Sequence, residues 1–126
     1  MSDTEKGKFL VVDDCSINRM VIKILLEKNG YYVEEAEDGM DVINLIKGDE
    51  IFDIIWIDME MPIIGGVECT KILRGKYNYD GVIVGITSHA DELSIEQCIK
   101  SGMNDVIIKP IKEETIIGFA NKYLNN

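Results

Sequence analysis

The sequence predicts a doubly wound α/β domain, a five-stranded parallel sheet with helices on both faces, from three observations. Short apolar runs rich in branched residues occur five times along the chain. Each is followed by a stretch of helical periodicity, and the first run is apolar throughout, as a strand buried on two faces is. The length of 126 residues, 46% of them hydrophobic, suits one domain with a single sizeable core. Residues 1–126 are read as that domain, with no linker, repeat or low-complexity segment.

The first strand is Phe9-Leu10-Val11-Val12. Ile17, Met20, Val21, Ile24 and Leu25 then follow the i, i+3, i+4, i+7, i+8 pattern of an amphipathic helix, which Asn29-Gly30 stops. A weaker strand, Tyr32 to Ala36, precedes a helix carrying Val42, Ile43, Leu45 and Ile46. Phe52 to Asp58 is the third strand, and the helix from Val67 to Arg74 is closed by Gly75. Val82 to Thr87 is the fourth strand. Ser94 with Gln97 three residues on reads as a capping box opening a helix that buries Ile95, Cys98 and Ile99. Val106 to Lys109 is the fifth strand, and Ile116, Ile117, Ala120 and Leu124 mark the last helix. Gly118 weakens that helix by about 1 kcal/mol relative to alanine.

Acidic residues outnumber basic ones by 23 to 13, for a net charge of −10. Such a surface repels phosphate backbones, which argues against direct nucleic-acid binding and for cations and basic or apolar partners. The first eight residues are polar without an apolar leader, and no later run has the ~20 apolar residues that span a bilayer. A soluble, cytoplasmic protein without membrane insertion is expected. Three cysteines, Cys15, Cys69 and Cys98, stand far apart without metal-ligand spacing and read as reduced packing residues.

In open parallel sheets ligands bind beyond the carboxyl ends of the strands, so the residues ending each strand carry the chemistry. These are Asp13-Asp14, Asp58, Thr87-Ser88 and Lys109-Pro110. Gathered in one cleft, three carboxylates would repel one another, and one would take up a proton unless a cation were present. Magnesium suits the set better than calcium, because it uses one or two carboxylates, keeps several waters and recruits phosphate oxygens. Asp58, a charge ending a buried strand, then has a role as a nucleophile whose acyl phosphate is held by metal, lysine and hydroxyl.

Together, Asp13-Asp14, Asp58 with Pro62 four residues on and Gly66 eight on, Thr87, and Lys109-Pro110 resemble the receiver domain of two-component response regulators. The match spans essentially the whole chain. Asn18-Arg19 and the run Asp58-Met59-Glu60-Met61-Pro62 are similar to receivers of hybrid histidine kinases and phosphorelays. The resemblance implies a flavodoxin-like fold with strand order 2-1-3-4-5. It implies that Asp58 accepts phosphate from the phosphohistidine of a histidine kinase or histidine phosphotransfer protein, the domain catalysing its own phosphorylation and slow dephosphorylation rather than acting as an enzyme on other substrates. It further implies that Asp14, Asp58 and the backbone carbonyl of Glu60 ligate Mg2+, with Asp13 acting through water. Lys109 would contact the phosphoryl oxygens, Thr87 would bond one of them after transfer, and the Lys109-Pro110 peptide would be cis.

Three positions depart from the family pattern. Gly65 replaces a common aspartate, Ser88 is slightly larger than the common alanine, and Val106 replaces the aromatic residue that often acts as the conformational switch. Ser88, His89 and Val106 are therefore read as switch or tuning positions, with His89, the single histidine, as an exposed loop residue rather than a base. Glu60 and His89 would flank the route of water to the acyl phosphate. On the residues alone, Asp13-Asp14 could be a solvated turn or cap and Lys109 a surface residue. A dinucleotide enzyme would need a glycine-rich turn where Asp13-Asp14-Cys15-Ser16 stands. A phosphatase with Glu60 as second acid, and a receiver-like binding module that is never phosphorylated, are the competing readings.

Overall fold

The structure, a computed structural model, describes residues 6–124; residues 1–5 and 125–126, which belong to the polar start and the end of the expected 1–126 domain, lie outside the described residues. Five strands and five helices alternate: β1 (Lys8–Val12), α1 (Ser16–Lys28), β2 (Tyr32–Ala36), α2 (Gly39–Lys47), β3 (Ile54–Asp58), α3 (Gly66–Gly75), β4 (Val82–Thr87), α4 (Glu92–Ser101), β5 (Asp105–Ile108) and α5 (Glu113–Tyr123). All strand pairs are parallel, in the order β2-β1-β3-β4-β5. Fold class and strand order are those expected.

Strand period two divides the core between the sheet faces. Leu10, Val12, Ile55 and Ile57 pack with residues of α2, α3 and α4, whereas Phe9, Val11, Ile54 and Trp56 pack with Ile22 and Leu26 of α1 and Ile116 and Ala120 of α5. Central strands β1 and β3 are thus buried on both faces, which is why they lack polar alternation. Trp56 is fully buried, and its Nε1 finds no hydrogen-bond partner among the described residues, a loss of about 1–3 kcal/mol against a satisfied group.

Several local expectations are corrected. The apolar stripe read on α1 is the wrong face: Ile22 and Leu26 are buried, while Ile17, Met20, Val21 and Ile24 are 65, 52, 47 and 54% exposed. Apolar residues cover more than half of this helix, so periodicity admits two phases, and polar pins choose between them. Arg19 Nε and Lys23 Nζ reach Glu35 on β2 at 3.0 and 3.3 Å, and Arg19 Nη1 donates to the Asp13 carbonyl at 2.6 Å. Gly75 is the last helical residue of α3 rather than its stop, and Lys76 caps the helix. Helix α4 is capped by Asp91, whose side chain accepts from the Ser94 amide, so Ser94 is a third-position donor and not the cap; Cys98 and Ser101 are its buried residues and Ile99 is exposed. Cys15 is exposed rather than packed. Strand β3 begins at Ile54, two residues later than expected, and β5 runs one residue earlier, from Asp105 to Ile108.

No helix among the described residues is long and apolar enough to cross a membrane. The phase of α1 sets a test. Leu26→Ala should lower unfolding stability by about 2–5 kcal/mol, and Ile24→Ser should change it by less than about 0.5 kcal/mol, as measured by urea denaturation.

Candidate functional site

Parallel register assembles the site at one edge of the sheet. Val12 lies opposite Ile57, so Asp13 and Asp58, the next residues, end adjacent strands side by side. Thr87 pairs with Ile108, which brings Lys109 to the same edge. Asp13, Asp58 and Lys109 continue the parity of Val11, Trp56 and Ile107 and lean toward the α1/α5 side, whereas Thr87 continues the parity of Ile83 toward the other. Asp13, Asp58 and Thr87 are 3, 2 and 2% exposed.

Two buried carboxylates sit beside one cation. Lys109 Nζ donates to Asp58 Oδ2 at 2.9 Å, and the Glu60 amide donates to Asp58 Oδ1 at 2.7 Å. Asp13 Oδ1 accepts from the Cys15 amide at 2.9 Å. Burial, with the Asp58 charge beside it, pushes the Asp13 carboxyl up to about 6 despite that amide and Lys109. Burial alone would lower Lys109, but the bond to Asp58 and the charges of Asp58, Asp13 and Glu60 outweigh it and hold the ammonium above its usual range. Gly66 is required here, since a Cβ would stand 2.8 Å from the Asp58 carbonyl oxygen.

Asp14 is exposed, so two of the three expected carboxylates are brought together in the buried cleft and the third borders it. Among the described residues no group of three or more His, Cys, Asp or Glu side chains is poised to hold a metal by itself. The donor set nevertheless fits a hard divalent cation of the magnesium type. A buried acidic pair, one member of which holds its proton abnormally tightly, is a site where a cation relieves repulsion, and magnesium takes few carboxylates and completes its shell with carbonyl oxygen and water.

Of the tuning positions, Ser88 and His89 are exposed and Val106 is half-buried in β5. The Lys109-Pro110 peptide is cis. Sequence reasoning placed Glu60 beside the cleft but did not foresee its partners: its carboxylate accepts from the Thr87 hydroxyl at 3.1 Å and from the Ser88 hydroxyl and amide at 3.1 and 3.3 Å. Burial raises this carboxyl, but the Ser88 and Thr87 donors and Lys109 outweigh it and hold it below the usual range. A contact spanning some 28 residues leaves no local pattern to read. Equally unforeseen is a groove of about 490 Å3, lined by Asp13, Asn18, Val21, Ile22, Lys109 and Ile111, that joins the cleft to the exposed face of α1.

This assembly of strand-end residues defines a class of protein. The family model of the response regulator receiver domain matches residues 9–121, and the chain belongs to that family. It is 37% identical over 110 residues to the osmosensing histidine protein kinase SLN1 of Saccharomyces cerevisiae, a match covering 83% of this chain and 9% of that protein. To the hybrid signal transduction histidine kinase F of Dictyostelium discoideum it is 31% identical over 124 residues, covering 94% of this chain and 11% of the relative. The chain thus spans about a tenth of the length of these curated relatives. Among solved structures, the receiver domain of a Pseudomonas aeruginosa sensor histidine kinase, with a magnesium ion coordinated in its active site cleft, superposes with a TM-score of 0.85 at 26% identity, covering 95% of this chain and 98% of the other. The chemotaxis protein CheY4 of Vibrio cholerae gives 0.84 at 27% identity, covering 93 and 98%.

The Asp13 carboxyl should titrate near pH 6 in the metal-free protein. A carboxyl whose folded pKa lies above its unfolded value contributes stability that is present below the ordinary carboxylate pKa and lost as pH rises through about 6. Added magnesium should move the titration to lower pH. Side-chain carboxyl carbon shifts followed by NMR check both, and a metal-free titration at about pH 4, the ordinary value, would contradict the burial argument.

Proposed function

We propose that this receiver domain, taken as residues 1–126, is a phosphoacceptor in which Asp58 takes phosphate from a partner's phosphohistidine. The observation that carries the reading is the Asp58 carboxylate, buried at a strand end, bonded to Lys109 and to the Glu60 amide, and facing Asp13. A carboxylate oxygen of Asp58 attacks phosphorus, the P–N bond to the imidazole breaks with its electron pair going to nitrogen, and an acyl phosphate forms. Lys109, released from its pairing with the free carboxylate, is placed to neutralise phosphoryl oxygens. In this reading the Thr87 hydroxyl, at the end of the neighbouring strand β4, bonds one of them after transfer. Asp14, Asp58 and the Glu60 carbonyl would hold magnesium, with Asp13 acting through water; the ion would supply charge neutralisation for the transferring group. Hydrolysis of the acyl phosphate returns the domain to its free state, and Glu60 and His89 are positioned to tune that rate.

Mass spectrometry after treatment with acetyl phosphate or phosphoramidate should find one added phosphate, only with magnesium, and none in Asp58→Asn. Equal labelling of the mutant would refute Asp58 as acceptor, and no labelling of the wild type would favour the unphosphorylated binding module.

The exposed stripe Ile17, Met20, Val21 and Ile24 supports a protein donor, a histidine kinase or histidine phosphotransfer protein. Its spacing is that of one helix face, and the groove beside it ends at Asp13 and Lys109, so a domain seated on the stripe reaches Asp58. Truncating a buried interface anchor costs about 2 kcal/mol or more. Ile17→Ser with Ile24→Ser should therefore slow transfer from a phosphohistidine protein more than tenfold while leaving labelling by phosphoramidate unchanged. Equal slowing with both donors would place the stripe's effect inside the fold.

A further inference from the structure

The Glu60 carboxylate takes the donors nearest the acceptor on the β4 side. Oε2 accepts from the Thr87 hydroxyl, and Oε1 accepts from both the hydroxyl and the backbone amide of Ser88. Thr87 Oγ1 in turn accepts from the His89 amide at 3.0 Å, so the start of the loop between β4 and α4 is tied to the loop after β3. At its other end Glu60 is fixed by its own amide on Asp58 Oδ1. Thr87 has little freedom of its own, being 2% exposed.

From this geometry we infer that Glu60 is a positioning residue that acts as a resident anion: its side chain holds Thr87 and Ser88 in the free state and competes with an incoming phosphoryl group for them. The inference rests on Asp58 being the acceptor. A phosphoryl group on Asp58 brings about −1.5 to −2 charges. It needs hydrogen-bond donors on this side, and the donors at hand are already turned to another anion. Phosphorylation must therefore displace Glu60, both because a hydroxyl donates only one hydrogen and because two anions repel at short range. Release of Glu60 frees the β4–α4 loop from the β3 side, and the charge on residue 60 thereby sets how far the domain resists the phosphorylated state. Lys109, bonded to Asp58 and within the field of Glu60, moderates this repulsion but is already committed.

Beryllofluoride with magnesium stands in for the phosphoryl group, and Trp56, the single tryptophan, reports its binding by fluorescence. Glu60→Gln, which keeps size and one acceptor oxygen but removes the charge, should bind beryllofluoride at least about fivefold more tightly, the effect of deleting one unit charge about 4 Å away even under the screening of bulk water. Half-saturation by phosphoramidate should fall by a similar factor. Glu60→Ala should do the same, whereas Glu60→Asp, which retains the charge, should stay within about threefold of the wild type. In the metal-free, donor-free protein the amide resonances of Thr87, Ser88 and His89 should move in Glu60→Gln. Equal beryllofluoride affinity and equal labelling in wild type and Glu60→Gln, or unmoved amides at 87–89, would overturn the role of Glu60 and leave Asp58 as acceptor. Absence of label at Asp58 in both proteins would remove the acceptor reading and this role with it.

Discussion

Two carboxylates buried side by side are the constraint on which the rest of this structure depends. Asp13 and Asp58 end neighbouring parallel strands, where the apolar sheet surrounds them and water is largely excluded. Such a pair is tolerable only with positive charge and hydrogen-bond donors in reach. Lys109, the Glu60 amide and the Cys15 amide supply them, each from a different loop at the same sheet edge. Strand order brings β1 and β3 together at the centre of the sheet, and the sheet in turn determines which loops can answer their charges.

Glycine and register carry as much of the site as the charged residues do. Gly66 opens α3 directly against the Asp58 carbonyl, so a side chain there would push the loop after β3 off the strand end. The same loop delivers the Glu60 amide to Asp58. Asp58 is therefore held from two directions, by an amide of its own loop and by an ammonium two strands away, which fixes both carboxylate oxygens before any reactant arrives.

Much of this was legible in the sequence, and the exceptions have physical causes. The five strands were readable because burial on both faces makes the central ones continuous apolar runs, and the strand-end residues followed from the topology. Helix phase was not readable on α1, because seven apolar residues between Ile17 and Leu26 allow two buried faces, and the choice is made by Arg19 and Lys23 reaching Glu35 on another strand. The cap of α4 was misassigned because Asp91 and Ser94 are both good capping residues; the acid three positions earlier took the role and used the serine amide as donor. Asp58, Lys109, Thr87 and Asp13 were singled out by their strand ends, and the roles expected of them came from the family resemblance. Glu60 was named there too, but its bonds to Thr87 and Ser88 were not readable, since those partners lie a whole β-α unit away.

The polar pins on α1 have a consequence for how this surface can change over time. Because charged residues set the rotation of the helix, the outward positions 17, 20, 21 and 24 are released from any duty in folding. Substitutions there leave the core untouched, so if the proposed donor docks on this stripe, recognition can drift to a new donor while the strand-end site stays as it is. A duplicated copy of the gene could in this way be insulated from its parent's signal by a few outward changes on one helix, with no intermediate that fails to fold.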